Sequence, residues 1–92
     1  MLKSATAGTL ESGDIMIEIT PKQHGKGIDI NLSSIVAHQF GKQIKNVISG
    51  VLKKYEIDGV TVNATDKGAL DCTVVARTTT AAMRAKDCDV RW

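Results

Sequence analysis

The segment at residues 7–14, Ala-Gly-Thr-Leu-Glu-Ser-Gly-Asp, contains the residue best suited to chemistry in this chain. Gly13 allows the backbone to turn and leaves one side of Ser12 sterically open, while Glu11 and Asp14 keep the segment hydrated. An exposed serine beside glycine suits a hydroxyl that another enzyme must reach and modify, because the acceptor has to enter a foreign active site. The same pattern also suits an ordinary turn. The local residues therefore predict that Ser12 is accessible and leave its role open.

The histidines and cysteines form no recognisable catalytic or metal-binding constellation. His24 lies in a glycine-flanked loop and His38 on a predicted helix, and neither is placed to activate a serine or cysteine nucleophile. Cys72 and Cys88 are far apart, with no Cys-x-x-Cys pair, so a zinc or redox site is not expected. Cys72 falls in an alternating apolar pattern, which predicts a small buried residue. The sequence predicts no catalytic residue and no metal site.

The composition is that of a small globular chain with little net charge. Of its 92 residues, 42% are hydrophobic and only 3% are aromatic, so the core must be aliphatic and has little room for an enclosed substrate cavity. A net charge of +2 without a dense basic patch argues against nucleic-acid binding. No apolar stretch approaches the ~20 residues of a membrane span, and no secretory signal is recognisable. We therefore expect a cytoplasmic protein with reduced thiols and no membrane or nucleic-acid partner.

The first half of the chain predicts an arm followed by two strands. Residues 1–13 lack either periodicity and predict a flexible N-terminal arm, which leaves residues 14–92 as a single domain. Apolar and polar residues alternate over 15–20 and again over 28–32, which is typical of strands with one buried face. The loop at 21–27 is short, so the two strands are predicted to pair antiparallel as a hairpin.

A long helix and a second hairpin are predicted next. Ser33 and Ser34 supply an N-cap, and apolar residues then recur at spacings of three and four as far as about Tyr55. Alternation over 60–64 and 70–76, around an Asp-Lys-Gly turn, predicts two more strands.

The C-terminal part gives a mixed signal. Residues 78–80 favour extension of the last strand, 81–86 favour a short helix, and the tail at 87–92 is predicted to be loose. The element order is therefore ββαββ. It predicts an α+β fold in which two β-hairpins form a mainly antiparallel sheet packed on one long helix.

Three segments carry a family resemblance that extends over most of the chain. Residues 7–14, Gln-Phe-Gly at 39–41 and Asp-Lys-Gly-Ala-Leu-Asp-Cys at 66–72 resemble, in this order, the characteristic stretches of the acyl carrier protein of citrate lyase, the gamma subunit of that complex. Three segments in the right order are far more specific than a lone Ser-Gly-Asp. The sequence departs from the family in the loop at 24–27 and in the tail from Thr78 onward.

The resemblance implies a covalently attached cofactor and several protein partners. Ser12 would be joined by a phosphodiester to 2'-(5''-phosphoribosyl)-3'-dephospho-CoA, whose terminal thiol carries acetyl and citryl thioesters while citrate is cleaved to acetate and oxaloacetate. The implied partners are the alpha subunit (acyl transferase), the beta subunit (citryl lyase) and the transferase that installs the arm. The chain itself would be a non-catalytic carrier.

Three alternatives remain beside this interpretation. The carrier subunit of malonate decarboxylase is similar in its Ser-Gly motif and its arm, although the segments at 8–14 and 66–71 favour citrate lyase. An assembly or regulatory subunit would carry no covalent group. A hydrolase using Ser12 as a nucleophile would need a base, and none is identifiable for it.

Overall fold

The computed structural model describes residues 2–23, 25–34 and 37–86, and these form four strands and two helices. His24, Cys88 and the tail predicted at 87–92 lie outside the described residues. The elements in chain order are β1 (Ala5–Ala7), β2 (Ile15–Pro21), β3 (Ile28–Ser34), α1 (Ala37–Lys54), β4 (Val60–Asp66) and α2 (Asp71–Ala85).

The strands form one mixed sheet in the order β1-β2-β4-β3. β2 pairs antiparallel with both β1 and β4, whereas β3 pairs parallel with β4. Parallel neighbours need a long crossover between them, and α1 provides it. β4 is therefore a central strand, and β1 and β3 are the two edges.

The apolar residues of the strands project from one face of the sheet, and both helices cover that face. The register places Ile17 beside Ala64 and Ile30 beside Val62, so the alternating residues of neighbouring strands coincide. α1 packs on β3 and on α2, while α2 packs on β1 and β2. The core is aliphatic, as the composition predicts, and its largest fully buried apolar side chains are Ile15, Ile17, Ile19, Ile48, Leu52, Val60, Val62 and Val74.

The other face of the sheet is polar. Asn31 Nδ2 donates to Asn63 Oδ1 at 3.1 Å, and Asn63 Nδ2 donates to Glu18 Oε1 at 3.3 Å. The fold is thus a two-layer α+β arrangement with one face of the sheet exposed.

The predicted hairpin of β2 and β3 is wrong, because β4 lies between these strands. Periodicity shows which residues of a strand face the core, but it does not identify the strand's neighbours. Both strands direct their alternate apolar residues to the same face of the sheet, so either pairing satisfies the pattern.

The second predicted hairpin is also wrong, because residues 71–85 form α2. The alternation at 70–76 is coincidental, and the buried residues of this region follow the spacing of a helix. They are Val74, Thr78, Thr80, Ala81, Ala82 and Ala85. The described residues therefore contain two helices, and the short helix predicted at 81–86 is the C-terminal part of the longer α2.

The N-terminal segment and the start of α1 also differ from what the sequence predicts. Residues 1–13 are predicted to form an arm without regular structure, yet Ala5–Ala7 form β1, a strand too short to give a periodic signal. Ser33 and Ser34 end β3, and α1 begins at Ala37. The Ser34 hydroxyl donates to Asp66 Oδ2 at 2.7 Å, so it joins two strand ends.

Candidate functional site

Ser12 lies exposed in the loop at residues 8–14, which connects β1 to β2. The Asp14 amide donates to the Glu11 carbonyl at 3.0 Å, which closes a four-residue turn with Ser12 and Gly13 at its centre. Gly13 adopts φ +83°, a conformation that is strained for other residues and that turns of this kind require at their third position. A Cβ placed on Gly13 would meet nothing within 4 Å. One side of Ser12 is therefore open to an approaching protein.

Asp14, at the end of the loop, fixes it to α2. Its carboxylate accepts hydrogen bonds from Arg77 Nε and Nη2, both at 3.0 Å, which is the bidentate geometry of a strong ion pair. The same carboxylate accepts from the Thr9 amide at 3.1 Å, the Thr9 hydroxyl at 2.6 Å and the Ile15 amide at 2.7 Å. One buried carboxylate thus joins both ends of the loop to the second helix.

The charge on Asp14 is strongly favoured by this environment. The hydrogen bonds from Arg77 and then Thr9 hold the pKa of the Asp14 carboxyl well below its usual range, and they outweigh the opposing effect of burial. The carboxylate therefore remains ionised throughout the physiological range, and the loop keeps its attachment to α2.

A second attachment joins the loop to the end of β4. The Gly13 amide donates to the Lys67 carbonyl at 2.7 Å, and the Lys67 amide donates to the Asp14 carbonyl at 2.8 Å. Asp66 is buried beside them, and its carboxylate accepts from the Ala69 amide at 2.9 Å, which shapes the chain before α2. The backbone of the loop is thus held on two sides, and only its tip is exposed.

The one cysteine within the described residues is Cys72. Cys72 is an exposed free thiol in the first turn of α2, so the prediction of a buried strand residue is wrong. Within the described ranges no group of three or more His, Cys, Asp or Glu residues could hold a metal ion. In the same part of the chain no helix is both long and apolar enough to span a membrane.

Arg77 is a partner of the Ser12 loop that the sequence does not reveal. The two residues of the ion pair are 63 positions apart, and Arg77 is predicted to lie at the end of a strand. The buried residues Val74, Thr78 and Ala81 recur at helical spacing, and a helix assigned on that basis would have included Arg77. Its pairing with Asp14 still depends on the tertiary fold.

Comparison with known proteins finds a matching family model and several similar carrier proteins. A family model described as the malonate decarboxylase delta subunit (MdcD) matches residues 2–85. The citrate lyase acyl carrier protein of Latilactobacillus sakei subsp. sakei is 56% identical over 80 residues, which cover 87% of this chain and 77% of that protein. The protein of the same name from Streptococcus uberis is 49% identical over 89 residues, covering 97% of this chain and 86% of that one.

A solved structure shares the fold. A chain in the crystal structure of a Pseudomonas malonate decarboxylase hetero-tetramer in complex with malonate superposes with a TM-score of 0.62 at 18% identity. The match covers 90% of this chain and 84% of that chain. At this identity the similarity supports the two-layer α+β architecture alone.

Proposed function

Because the chain belongs to the family of citrate lyase acyl carrier proteins, we propose that it is the acyl carrier subunit of a citrate lyase and that Ser12 anchors its prosthetic group. The observation that carries the assignment of Ser12 is its place at the exposed tip of a loop whose backbone is held by Asp14 and Lys67. A modifying enzyme needs a reachable hydroxyl, and a carrier needs a firm attachment point.

The group proposed at Ser12 is 2'-(5''-phosphoribosyl)-3'-dephospho-CoA, joined through a phosphodiester. When bound, it supplies a terminal thiol that carries acyl groups as thioesters. A Cβ on Gly13 would meet nothing within 4 Å, so the residue after Ser12 lies in open space and does not crowd a group attached to the serine. The residues of this chain hold the attachment point and present it, while the alpha and beta subunits of the complex would perform acyl transfer and cleavage of the citryl thioester.

The alternative role in malonate decarboxylase is less well supported. Relatives named citrate lyase acyl carrier protein are 49% to 56% identical to this chain, whereas the malonate decarboxylase chain is 18% identical. A cytoplasmic location belongs to the same proposal, and the exposed free thiol of Cys72 suits a reducing compartment.

Intact-mass measurement tests the attachment at Ser12. Protein co-expressed with the prosthetic-group transferase is expected to be heavier than the unmodified chain by one phosphoribosyl-dephospho-CoA group. Ser12→Ala should lose this increment, whereas Ser4→Ala, which changes another exposed serine of the N-terminal region, should keep it. An increment that survives Ser12→Ala would place the attachment elsewhere. A chain that the transferase never modifies would favour the assembly-subunit alternative.

Stability measurements complete this test. Ser12→Ala is expected to change the free energy of unfolding by no more than about 0.5 kcal/mol, because the side chain is exposed. A large loss in urea or thermal unfolding would show that Ser12 has a structural role, and that the missing increment reflects a misfolded loop.

A further inference from the structure

An apolar surface pocket lies between α1 and the segment that precedes α2. Its volume is ≈ 480 Å³, within the range of small-molecule sites. Phe40 and Leu70 stand at this pocket with 49% and 72% of their surface exposed. The residues that line it are Phe40, Gln43, Ile44, Gly68, Ala69, Leu70 and Asp71. A flat ring and a branched aliphatic chain are thus left in water beside a concave surface.

The pocket is directly continuous with the Ser12 loop. Gly13 and Asp14 exchange backbone hydrogen bonds with Lys67 at 2.7 and 2.8 Å, and the next residue, Gly68, already lines the pocket. The residue after Ser12 is therefore bonded to the residue that precedes the pocket lining, so the pocket is the concave surface nearest in the chain connections to a substituent on Ser12.

The rim of the pocket is polar, although its floor is apolar. Gln43 Nε2 donates to Asp71 Oδ2 at 2.7 Å across the pocket, and both side chains are exposed. A carboxylate and an amide at the edge of an apolar site suit a planar heterocycle that carries an amino group and ring nitrogens. Stacking on an aromatic face is the usual way in which proteins hold such a base.

We propose that this pocket seats the adenine of the arm attached to Ser12, with the base against Phe40 and Leu70 and its polar edge toward Gln43 and Asp71. The inference rests on the proposed attachment at Ser12. The adenine belongs to the nucleoside part of the arm, close to the phosphodiester, whereas the thiol lies at the far end and must remain free for the partner subunits. Seating the base therefore shortens the free part of the arm and leaves its reactive end mobile.

NMR of the modified and unmodified protein tests this placement. Intact mass first confirms that Ser12 carries the arm, so a failure of the proposed attachment is recognised separately. In the modified protein, the amide signals of Ala69 and Leu70 are expected to shift, and adenine protons should show NOEs to the Phe40 ring and the Leu70 methyl groups. Phe40→Ala should abolish the NOEs to the Leu70 methyl groups, and Leu70→Ala should abolish those to the Phe40 ring, while modification of Ser12 persists.

Val75→Ala is the matched control. Val75 is also an exposed apolar residue, on α2, and it does not line the pocket, so its substitution should leave the NOEs unchanged. Thermal unfolding verifies that all three variants are folded. Shifts confined to residues 10–14 in a fully modified protein would overturn the proposal. It would equally be overturned by NOEs from the thiol end of the arm instead of adenine, or by Ala69 and Leu70 shifts that appear only when a partner subunit is added.

Discussion

At the scale of single residues, the Ser12 loop depends on two positions that cannot be exchanged freely. Asp14 concentrates five hydrogen bonds on one carboxylate, two of them from Arg77. Gly8 enters the loop at φ +97°, and a Cβ there would overlap the Ile15 carbonyl oxygen. The carboxylate determines where the loop is held, and the glycine allows it to pass close to β2.

Gly8→Ala and Gly13→Ala form a matched pair of substitutions in one loop. Both glycines have positive φ, but only Gly8 lacks space for a side chain. Gly13→Ala should lower the free energy of unfolding by about 1 kcal/mol, the cost of the backbone conformation alone. Gly8→Ala should lower it by about 3 kcal/mol or more, because the clash is with backbone. Equal losses in urea denaturation would contradict this account of Gly8.

Asp14 should also make stability depend on pH. Its pKa is lower in the folded chain than in the unfolded chain, so its contribution is complete above the ordinary aspartate pKa of about 4 and is lost as the pH falls below that value. After allowance for the partly exposed Arg77 side chain, we expect a loss of about 2 kcal/mol between pH 5 and pH 2.

Denaturation of Asp14→Asn across the same pH range isolates this contribution. The variant should be less stable than the parent at pH 6, and the difference should shrink toward pH 2. Asp29→Asn, which removes the ion pair of Asp29 with Lys22, is the control for the loss of one carboxylate elsewhere in the chain. A constant difference between Asp14→Asn and the parent would show that the carboxylate does not titrate as described.

At the scale of elements, α1 illustrates how well a regular pattern can be recognised. Its apolar residues, including Ile44, Ile48 and Leu52, recur at helical spacing, and the helix forms at Ala37–Lys54 much as predicted. Its end is well defined. The Ile57 amide donates to the Leu52 carbonyl at 2.9 Å while Glu56 adopts φ +57°, which is a Schellman-type termination.

Gly50 is a position of α1 with low helix propensity. It lies exposed within α1, and a Cβ there would meet nothing within 4 Å. Gly50→Ala should raise the free energy of unfolding by about 0.5–1 kcal/mol through better helix propensity and a less flexible unfolded chain. An unchanged or lower midpoint in urea denaturation would contradict this expectation.

β1 and α2 were not predicted because each presents a weak hydrophobic pattern. β2, β3 and β4 were recognised because each has several alternating residues facing a core. β1 has only three residues, and the stripe of α2 contains Thr78 and small alanines, which a hydrophobic pattern underweights. Strand order was inaccessible because pairing depends on the crossover through α1. The exposure of Ser12 was predictable from its neighbours, whereas its attachment to α2 through Arg77 required the fold.

At the scale of the whole molecule, stability is concentrated at the centre of the sheet. Among the described strands, β4 is paired on both sides, while β3 and β1 are each paired with one neighbour. The core lies on one side of this sheet, between it and the two helices. Local opening should therefore be rarest in β4 and should begin at the edges.

Amide hydrogen exchange measures this gradient. Amides of β4 should exchange only on global unfolding, whereas the alternate amides of β3 that face away from β4 should exchange on the order of 100-fold faster. The antiparallel amides of β2 that pair with β4 provide the internal control and should be protected as strongly as those of β4. Uniform protection across β3 would show that its free edge is covered by another chain.

The double attachment of the Ser12 loop has a geometric consequence for an arm carried there. A group tethered to a loose chain end could point in any direction, but a group at Ser12 swings from a fixed pivot on a solid surface. The body of the protein then excludes about half of the surrounding sphere, which roughly doubles the local concentration of the arm's end in the remaining half. If Ser12 carries the proposed arm, active sites that use it in turn would all have to open toward this one hemisphere, so the carrier's orientation would constrain the arrangement of the whole complex.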